Sequence, residues 1–93
     1  MHIISRKPFK DAAELYPNNA TAINQVYLIL KKGHFSSPEM LRNVFSSLDN
    51  FKYKKKWWVI NIGGNNLRLI AFIEFRDNRM YVSHIKYAKE RGD

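Results

Sequence analysis

The sequence predicts an α+β fold in which N-terminal helices pack on a C-terminal antiparallel sheet of three to four strands. Apolar residues recur at helical spacing in the first half of the chain. Aromatic and β-branched residues dominate the later runs "WWVINI", "LRLIAFIEF" and "MYVSHIKY". The chain has 93 residues, of which 45% are hydrophobic, and this length suits one domain over residues 1–93.

Three helices are expected before the sheet. They span residues 8–16, from Asn18 or Asn19 to about residue 32, and about 38–45. Pro8 suits the first turn of a helix because its missing N–H is not needed there. Ser37 is a suitable N-cap for the third helix, and Gly33 is a stop signal for the second. The apolar faces of these helices are interpreted as core packing.

The strands are connected by sequences that are typical of tight turns. "GGNN" and "DN" separate the three long strands, and "HIIS" near the N-terminus is a possible extra strand. If the turns centre on Gly64-Asn65 and Asp77-Asn78, a row of Asn61, Arg68 and Tyr87 crosses the sheet. Directly opposed residues share a face, so this row is predicted to be a polar site. The same register gives the rows Val59–Ile70–Ile85, Trp57–Phe72–Ser83 and Lys55–Glu74–Tyr81, and it turns His84 away from Arg68.

The charge balance suggests an anionic partner. Sixteen Lys and Arg residues oppose eight Asp and Glu residues, which gives a net charge of +8. Such a bias fits a polyanion or an acidic protein. The densest cluster consists of Lys52, Lys54, Lys55 and Lys56. Aromatic residues, including Trp57, surround it, and cations interleaved with aromatics suit phosphate contact and base stacking. We therefore favour RNA or nucleotide binding over a solvated surface patch.

The sequence gives little indication of catalysis that depends on a metal, a cofactor or a thiol. The chain has no cysteine, and its three histidines lack metal-ligand spacing, so we expect neither a metal nor a cofactor. Eight scattered carboxylates do not suggest a two-metal nuclease. The N-terminus lacks a signal-peptide core, and no apolar run reaches the length of a membrane span. A cytoplasmic protein without a membrane partner is expected.

Arg68 is the cation that interrupts the apolar run of Leu67, Leu69 and Ile70. A guanidinium can hydrogen-bond a phosphate in two places and stays charged at physiological pH. Asn61 and Tyr87 could position it or touch the same ligand. A structural arginine, satisfied by a carboxylate or by carbonyl groups at a sheet end, is an equally good interpretation of the spacing.

The segments "SLDNFKY", "WWVINIGGNNLRLIAFIEF" and "MYVSHI" resemble the HigB group of bacterial toxins, within the RelE-like superfamily. The likeness extends from "MHIISRKPFKDAAELYP" to "KYAKE", so it covers nearly the whole chain. Its most specific residues are Asn61, Gly64, Asn65, Arg68 and Leu69. The resemblance implies an mRNA interferase that cuts transcripts in the translating ribosome. It also implies a HigA-like helix-turn-helix antitoxin as the partner that inhibits the toxin.

The resemblance also implies a mechanism and its residues. The RNA 2′-oxygen attacks the neighbouring phosphate, so neither a metal nor a protein nucleophile is needed. Arg68 matches the family arginine that stabilises the phosphate, and Lys56 matches a basic position before the strand. Contacts with mRNA and with the rRNA of the 70S ribosome are expected from Lys52, Lys54, Lys55, Trp57, Asn61 and Arg91.

The sequence departs from the family after the last strand. Relatives commonly carry Thr-His-x-Glu-Tyr-Asp, whereas this chain has "YAKERGD", with Ala88 at the histidine position and Arg91 at the tyrosine position. Loss of a general acid–base costs about 10²–10⁴-fold in rate. Tyr87, Lys89 and Glu90 are the candidates for this role. The alternatives are a catalytically weakened or inactive RNA- or ribosome-binding module, an alanine engineered in place of histidine, and a basic domain that binds an acidic protein.

Overall fold

Helices precede most of the sheet in the computed structural model, which describes residues 1–51 and 54–88. The elements in chain order are β1 (His2–Ile3), α1 (Lys7–Leu15), a 3-10 turn (Pro17–Asn19), α2 (Ala20–Lys32), α3 (Pro38–Val44), β2 (Asp49–Phe51), β3 (Lys54–Ile62), β4 (Leu67–Glu74) and β5 (Arg79–Tyr87). The strands form one sheet in the order β1-β5-β4-β3-β2, in which β1 runs parallel to β5 and the other neighbours are antiparallel. The predicted α+β class is confirmed.

The sheet has five strands in the described residues, rather than three to four. One added strand is β1, which was expected as a possible short strand. The other is β2, which sequence reasoning missed because "DNF" is short and polar and has no alternating pattern. It pairs with β3 through an irregular register between Asn50 and Phe51. Both additions lie at the edges of the sheet, so the three central strands remain in the predicted antiparallel order.

The helices form where the apolar spacing predicts them. α1 buries Phe9 and Ala12, while α2 buries residues at the positions expected for one helical stripe, namely Ile23, Val26, Tyr27 and Leu30. Ser37 caps α3, since its hydroxyl accepts a hydrogen bond from the Met40 N–H at 3.3 Å. On the exposed side of α1, a hydrogen bond from Lys7 Nζ to Asp11 raises the pKa of the Lys7 ammonium.

Side chains alternate along β4 and so define two faces of the sheet, although Ile70 is buried on its own face. Leu67, Leu69, Ala71 and Ile73 are buried and join the main hydrophobic core with residues of α1 and α2. We call this side the inner face. Arg68, Ile70, Phe72 and Glu74 point the other way and form what we call the outer face. No helix in residues 1–51 and 54–88 is both long enough and apolar enough to cross a membrane.

The register of the first hairpin is confirmed, because Asn61 lies opposite Arg68 and Ile62 lies opposite Leu67. The register predicted for the second hairpin is wrong. Arg68 lies opposite Lys86 rather than Tyr87, and Tyr87 lies opposite Leu67. The observed outer rows are therefore Asn61–Arg68–Lys86, Val59–Ile70–His84 and Trp57–Phe72–Tyr81. His84, which was expected to face away from Arg68, shares its face.

Two local features shift the second hairpin. The turn is closed by Glu74 opposite Arg79, and Asn78 adopts a left-handed conformation with φ 57°. The loop therefore centres earlier than the Asp77-Asn78 position assumed from the sequence. Further along, the register steps by one residue because Ile70 pairs with His84 while Ala71 pairs with Val82. Ser83 is the extra residue of a β-bulge, and it changes which β5 side chains reach the outer face.

Candidate nucleic-acid interface

Arg68 is exposed on the outer face, near the end of β4 that follows the "GGNN" turn. A groove of about 510 Å³ lies beside it, between β2 and the outer side of β3 and β4. The groove is lined by Ser47, Asp49, Asn50, Phe51, Lys54, Val59, Asn61 and Arg68. The structure thus places Arg68, Asn61 and Lys54 around one open cleft.

The guanidinium of Arg68 makes no ion pair or side-chain hydrogen bond with the described residues. The residue directly across from it on β5 is Lys86, a second exposed cation. Like charges that face each other across strands repel and destabilise the sheet. A bound anion would remove this repulsion, so the row has the electrostatics of an anion site.

A network of asparagines holds the end of the groove. The Asn61 side-chain amide donates to Asn65 Oδ1 at 3.0 Å, within the turn itself. The Asn66 amide donates to Asn19 Oδ1 at 3.2 Å, which ties the turn to the start of α2. The Asn61 backbone N–H donates to Ser47 Oγ at 3.3 Å. These contacts fix the position of the turn that leads into Arg68.

The lysines of the cluster at residues 52–56 do not all lie at the groove. Lys54 lines the groove, and its Nζ lies 5.8 Å from the centre of the Trp57 ring. Lys55 is exposed. Lys56 forms an ion pair with Glu74 at 2.9 Å, and Glu74 is six residues along β4 from Arg68, which corresponds to about 20 Å of strand. Within this cluster, Lys54 and not Lys56 therefore lines the groove that Arg68 also lines. Lys52 lies outside the described residues.

The structure describes two of the C-terminal candidates, Tyr87 and Ala88. Tyr87 is opposite Leu67, so it belongs to the helix side, where its ring contacts Tyr16 edge-on with centres 4.6 Å apart. Ala88 follows β5, and its N–H donates to the Asn66 carbonyl at 3.0 Å. This contact ties Ala88, at the position of the family histidine, to the turn that leads into Arg68. Lys89, Glu90 and Arg91 lie outside the described residues.

Sequence reasoning missed several groove residues. Lys86 was not recognised because the bulge at Ser83 has no signature in the sequence. Ser47, Asp49 and Asn50 were missed because they belong to β2 and the loop before it, which carries no strand pattern. Within residues 1–51 and 54–88, no group of three or more His, Cys, Asp or Glu side chains is arranged to hold a metal ion.

Comparison with known proteins assigns the chain to a family. Residues 19–90 match a family model described as HigB_toxin, the RelE-like toxic component of a toxin-antitoxin system. The chain belongs to the HigB toxin family. The resemblance seen in "WWVINIGGNNLRLIAFIEF" is thereby confirmed.

Relatives of this HigB-family chain align over most of its length. It is 52% identical to the mRNA interferase HigB of Escherichia coli O6:H1 over 85 residues, which cover 91% of this chain and 82% of that protein. It is 44% identical to the mRNA interferase toxin HigB of Escherichia coli K12 over 90 residues, or 97% of this chain and 86% of the relative. The mRNA interferase HigB of Shigella flexneri matches to the same extent.

Proposed function

We propose that this HigB-family toxin is an endoribonuclease that cleaves mRNA in the translating ribosome and so inhibits translation in the cytoplasm. The observation that carries the proposal is the exposed guanidinium of Arg68, which has no ion-pair partner among the described residues and stands beside an open groove. The names of its relatives, which describe mRNA interferases, support the same substrate class. A HigA-like helix-turn-helix antitoxin is the proposed inhibitor.

In the proposed reaction, the RNA supplies its own nucleophile. The 2′-oxygen attacks the adjacent phosphorus, the bond to the 5′-oxygen breaks, and negative charge grows on the phosphate oxygens. The fork of Arg68 would bind two of these oxygens and stabilise the transition state by about 3–4 kcal/mol, as preorganised donors do elsewhere. Asn61, held by Asn65, would orient the same group. Lys54 and Lys86 would neutralise neighbouring phosphates.

Proton transfer is the weak part of this site. Ala88 is bonded to the turn that leads into Arg68, at the position where relatives commonly carry a histidine, and a methyl group cannot exchange a proton. Tyr87 is oriented to the helix side, so it is poorly placed to replace the histidine. The second candidate function is therefore an RNA- or ribosome-binding module with weakened or absent cleavage, and Ala88 is the observation that favours it.

The test is cleavage of a defined transcript on translating ribosomes by the unmodified chain and by Arg68→Ala. Arg68→Ala is expected to lower the cleavage rate by about 10²–10³-fold, because it removes the proposed phosphate donor. The matched control is Arg76→Ala, which removes the same charge at the opposite end of β4, in the turn, and should cleave like the unmodified chain.

Two results would decide against the enzyme. If Arg68→Ala cleaves as fast as Arg76→Ala, the proposed role of Arg68 is wrong. If the unmodified chain binds ribosomes in a salt-dependent manner but leaves the transcript intact, the binding module replaces the enzyme as the function.

A further inference from the structure

Three aromatic side chains form a row across the outer face, away from Arg68. Trp57 on β3, Phe72 on β4 and Tyr81 on β5 lie directly opposite one another. Neighbouring rings meet edge-on, with centres 5.7 Å apart for Trp57 and Phe72 and 5.9 Å apart for Phe72 and Tyr81. We call this row the aromatic shelf. It borders a depression of about 430 Å³.

Packing in the main core does not explain the shelf. The core lies on the inner face, where Trp58 is only 8% exposed and contacts Phe75 edge-on. Trp57 and Phe72 are half-buried, and Tyr81 is 41% exposed. Aromatic side chains bury large apolar areas when a partner covers them. A row of three at the surface leaves that area unused, which is typical of a binding site.

The charges around the shelf favour an anionic occupant. Lys54 Nζ lies 5.8 Å from the Trp57 ring centre, and Lys56 Nζ lies 6.0 Å from that of Phe72. Arg79 lines the depression from β5. Two carboxylates, Glu74 and Asp77, also line it, but Glu74 is paired with Lys56. Rings bordered by cations match the stacking faces and phosphates of single-stranded RNA.

The shelf and the Arg68 groove are connected. Phe72 is four residues from Arg68 on the same strand and face, which is about 13 Å. A stacked strand rises about 3.4 Å per nucleotide, so this distance spans up to about four nucleotides. Lys54 joins the two places, because it lines the groove and also lies over the Trp57 ring.

We propose that the aromatic shelf stacks unpaired bases of the same RNA strand whose phosphate Arg68 binds. The link to the cleaved phosphate rests on the proposed function, whereas base stacking on the shelf can be tested without cleavage. The proposal commits to RNA over a protein partner because the rings are accompanied by cations. An apolar protein surface would leave Lys54 and Arg79 without an anion, and an acidic peptide would make little use of three rings.

The main experiment compares Tyr81→Leu with Tyr81→Phe. Leucine removes the ring and keeps an apolar side chain, while phenylalanine keeps the ring and serves as the matched control. The probe is a labelled, single-stranded 2′-O-methyl RNA of about twelve nucleotides, which lacks the attacking hydroxyl and fits the usual range of single-strand sites. Tyr81→Leu is expected to raise the Kd at least about fivefold, and Tyr81→Phe to change it by less than about twofold.

A second measurement uses the fluorescence of the two tryptophans. Binding of the same RNA should quench the fluorescence of Trp57, which lies on the shelf, while buried Trp58 should keep its emission. Comparison with Trp57→Phe identifies the residue that is quenched. Equal affinities of Tyr81→Leu and Tyr81→Phe, with unchanged Trp57 emission, would overturn the proposal.

The outcomes for the shelf and for the enzyme can be told apart. If Arg68→Ala abolishes cleavage but Tyr81→Leu binds RNA normally, the shelf is wrong and the proposed function stands. If no version cleaves but Tyr81→Leu weakens RNA binding, the shelf stands and the enzyme fails. If Tyr81→Leu leaves the RNA Kd unchanged and weakens binding of the cognate antitoxin, the shelf belongs to a protein interface and the proposal is overturned.

Discussion

The exposed charge of Arg68 lowers the stability of the fold unless an anion binds to it. Its guanidinium faces Lys86 directly across β4 and β5, and it has no carboxylate partner among residues 1–51 and 54–88. A structural arginine at a sheet end would be satisfied by a carboxylate or by carbonyl groups. The observed arrangement agrees better with a residue retained for binding an anion than with one retained for stability.

Replacement of Arg68 should therefore stabilise the fold. Arg68→Met keeps the length of the stem and removes the repulsion from Lys86, so we expect the free energy of unfolding to rise by about 0.2–1 kcal/mol. Arg76→Met is the control, because Arg76 lies in the turn at the far end of β4. Urea denaturation measures both. A clear loss of stability in Arg68→Met alone would show that the arginine is structural.

The alanine at position 88 makes a second prediction at this scale. If the site lacks a proton-transfer group, Ala88→His should raise the rate of transcript cleavage by about 10²–10⁴-fold. The gain should vary with pH near the ordinary histidine pKa of about 6.5. Ala88→Gln supplies hydrogen bonds without a titrating group and should show no such gain. Equal rates for the two variants would remove position 88 from the mechanism.

At the scale of elements, the "GGNN" turn is fixed by tertiary contacts as well as by its own sequence. Gly63 and Gly64 both have a positive φ, at 63° and 71°. A methyl group at Gly63 would lie 2.8 Å from Asn19 Oδ1, whereas one at Gly64 would meet nothing within 4 Å. Asn19 receives the Asn66 amide at the same oxygen. The turn is thus held against the start of α2 at one of its two glycines.

Alanine substitutions at Gly63 and Gly64 can separate the backbone strain of the turn from its contact with Asn19. Gly64→Ala should cost about 1–2 kcal/mol, because it adds only the strain of a left-handed backbone. Gly63→Ala should cost more, because the Asn19 side chain must also turn away and lose its hydrogen bond from the Asn66 amide. Thermal or urea denaturation of the pair gives the difference. If the two variants are equally stable, the turn does not depend on its contact with Asn19.

The sequence predicted those elements whose signals are local. Helix periods, the Ser37 cap and the first hairpin depend on neighbouring residues, and they appear as expected. The second hairpin failed because the left-handed Asn78 contacts His34 and Phe35, which are distant in sequence, and because the bulge at Ser83 has no local signature. The cleft needs β2, which has no pattern of its own. Asn61 and Arg68 could therefore be placed together from sequence, while Lys86 and the far position of Lys56 could not.

The whole molecule is built with helices on one side of its sheet. α1 and α2 join the core on the inner face, and the outer face carries the groove, the Arg68 row and the aromatic shelf. In a chain with a net charge of +8, the proposed sites of anion contact therefore all lie on the face away from the helices. RNA affinity that comes from phosphate contacts depends on salt concentration, whereas affinity that comes from stacking does not. The two kinds of contact can therefore be distinguished by experiment.

The dependence of RNA affinity on salt should show whether RNA binds to the outer face or to the helix side. Each phosphate contact to a single strand changes the slope of log K against log salt by about 0.7. Lys54→Ala should reduce that slope by about this amount for the 2′-O-methyl RNA. Lys10→Ala removes the same charge from α1 and should leave the slope unchanged. Equal slopes for the two variants would mean that RNA does not recognise the outer face in particular.

The unmatched residue at Ser83 lets β5 lose one residue without losing the site. Deleting Ser83 would leave Val82 opposite Ala71 and His84 opposite Ile70, so Lys86 would stay opposite Arg68 and Ile85 would stay buried. One residue inserted after His84 would instead exchange the faces of Ile85 and Lys86, so that the core would receive a cation and the cleft would lose one. The deletion should therefore be better tolerated than the insertion.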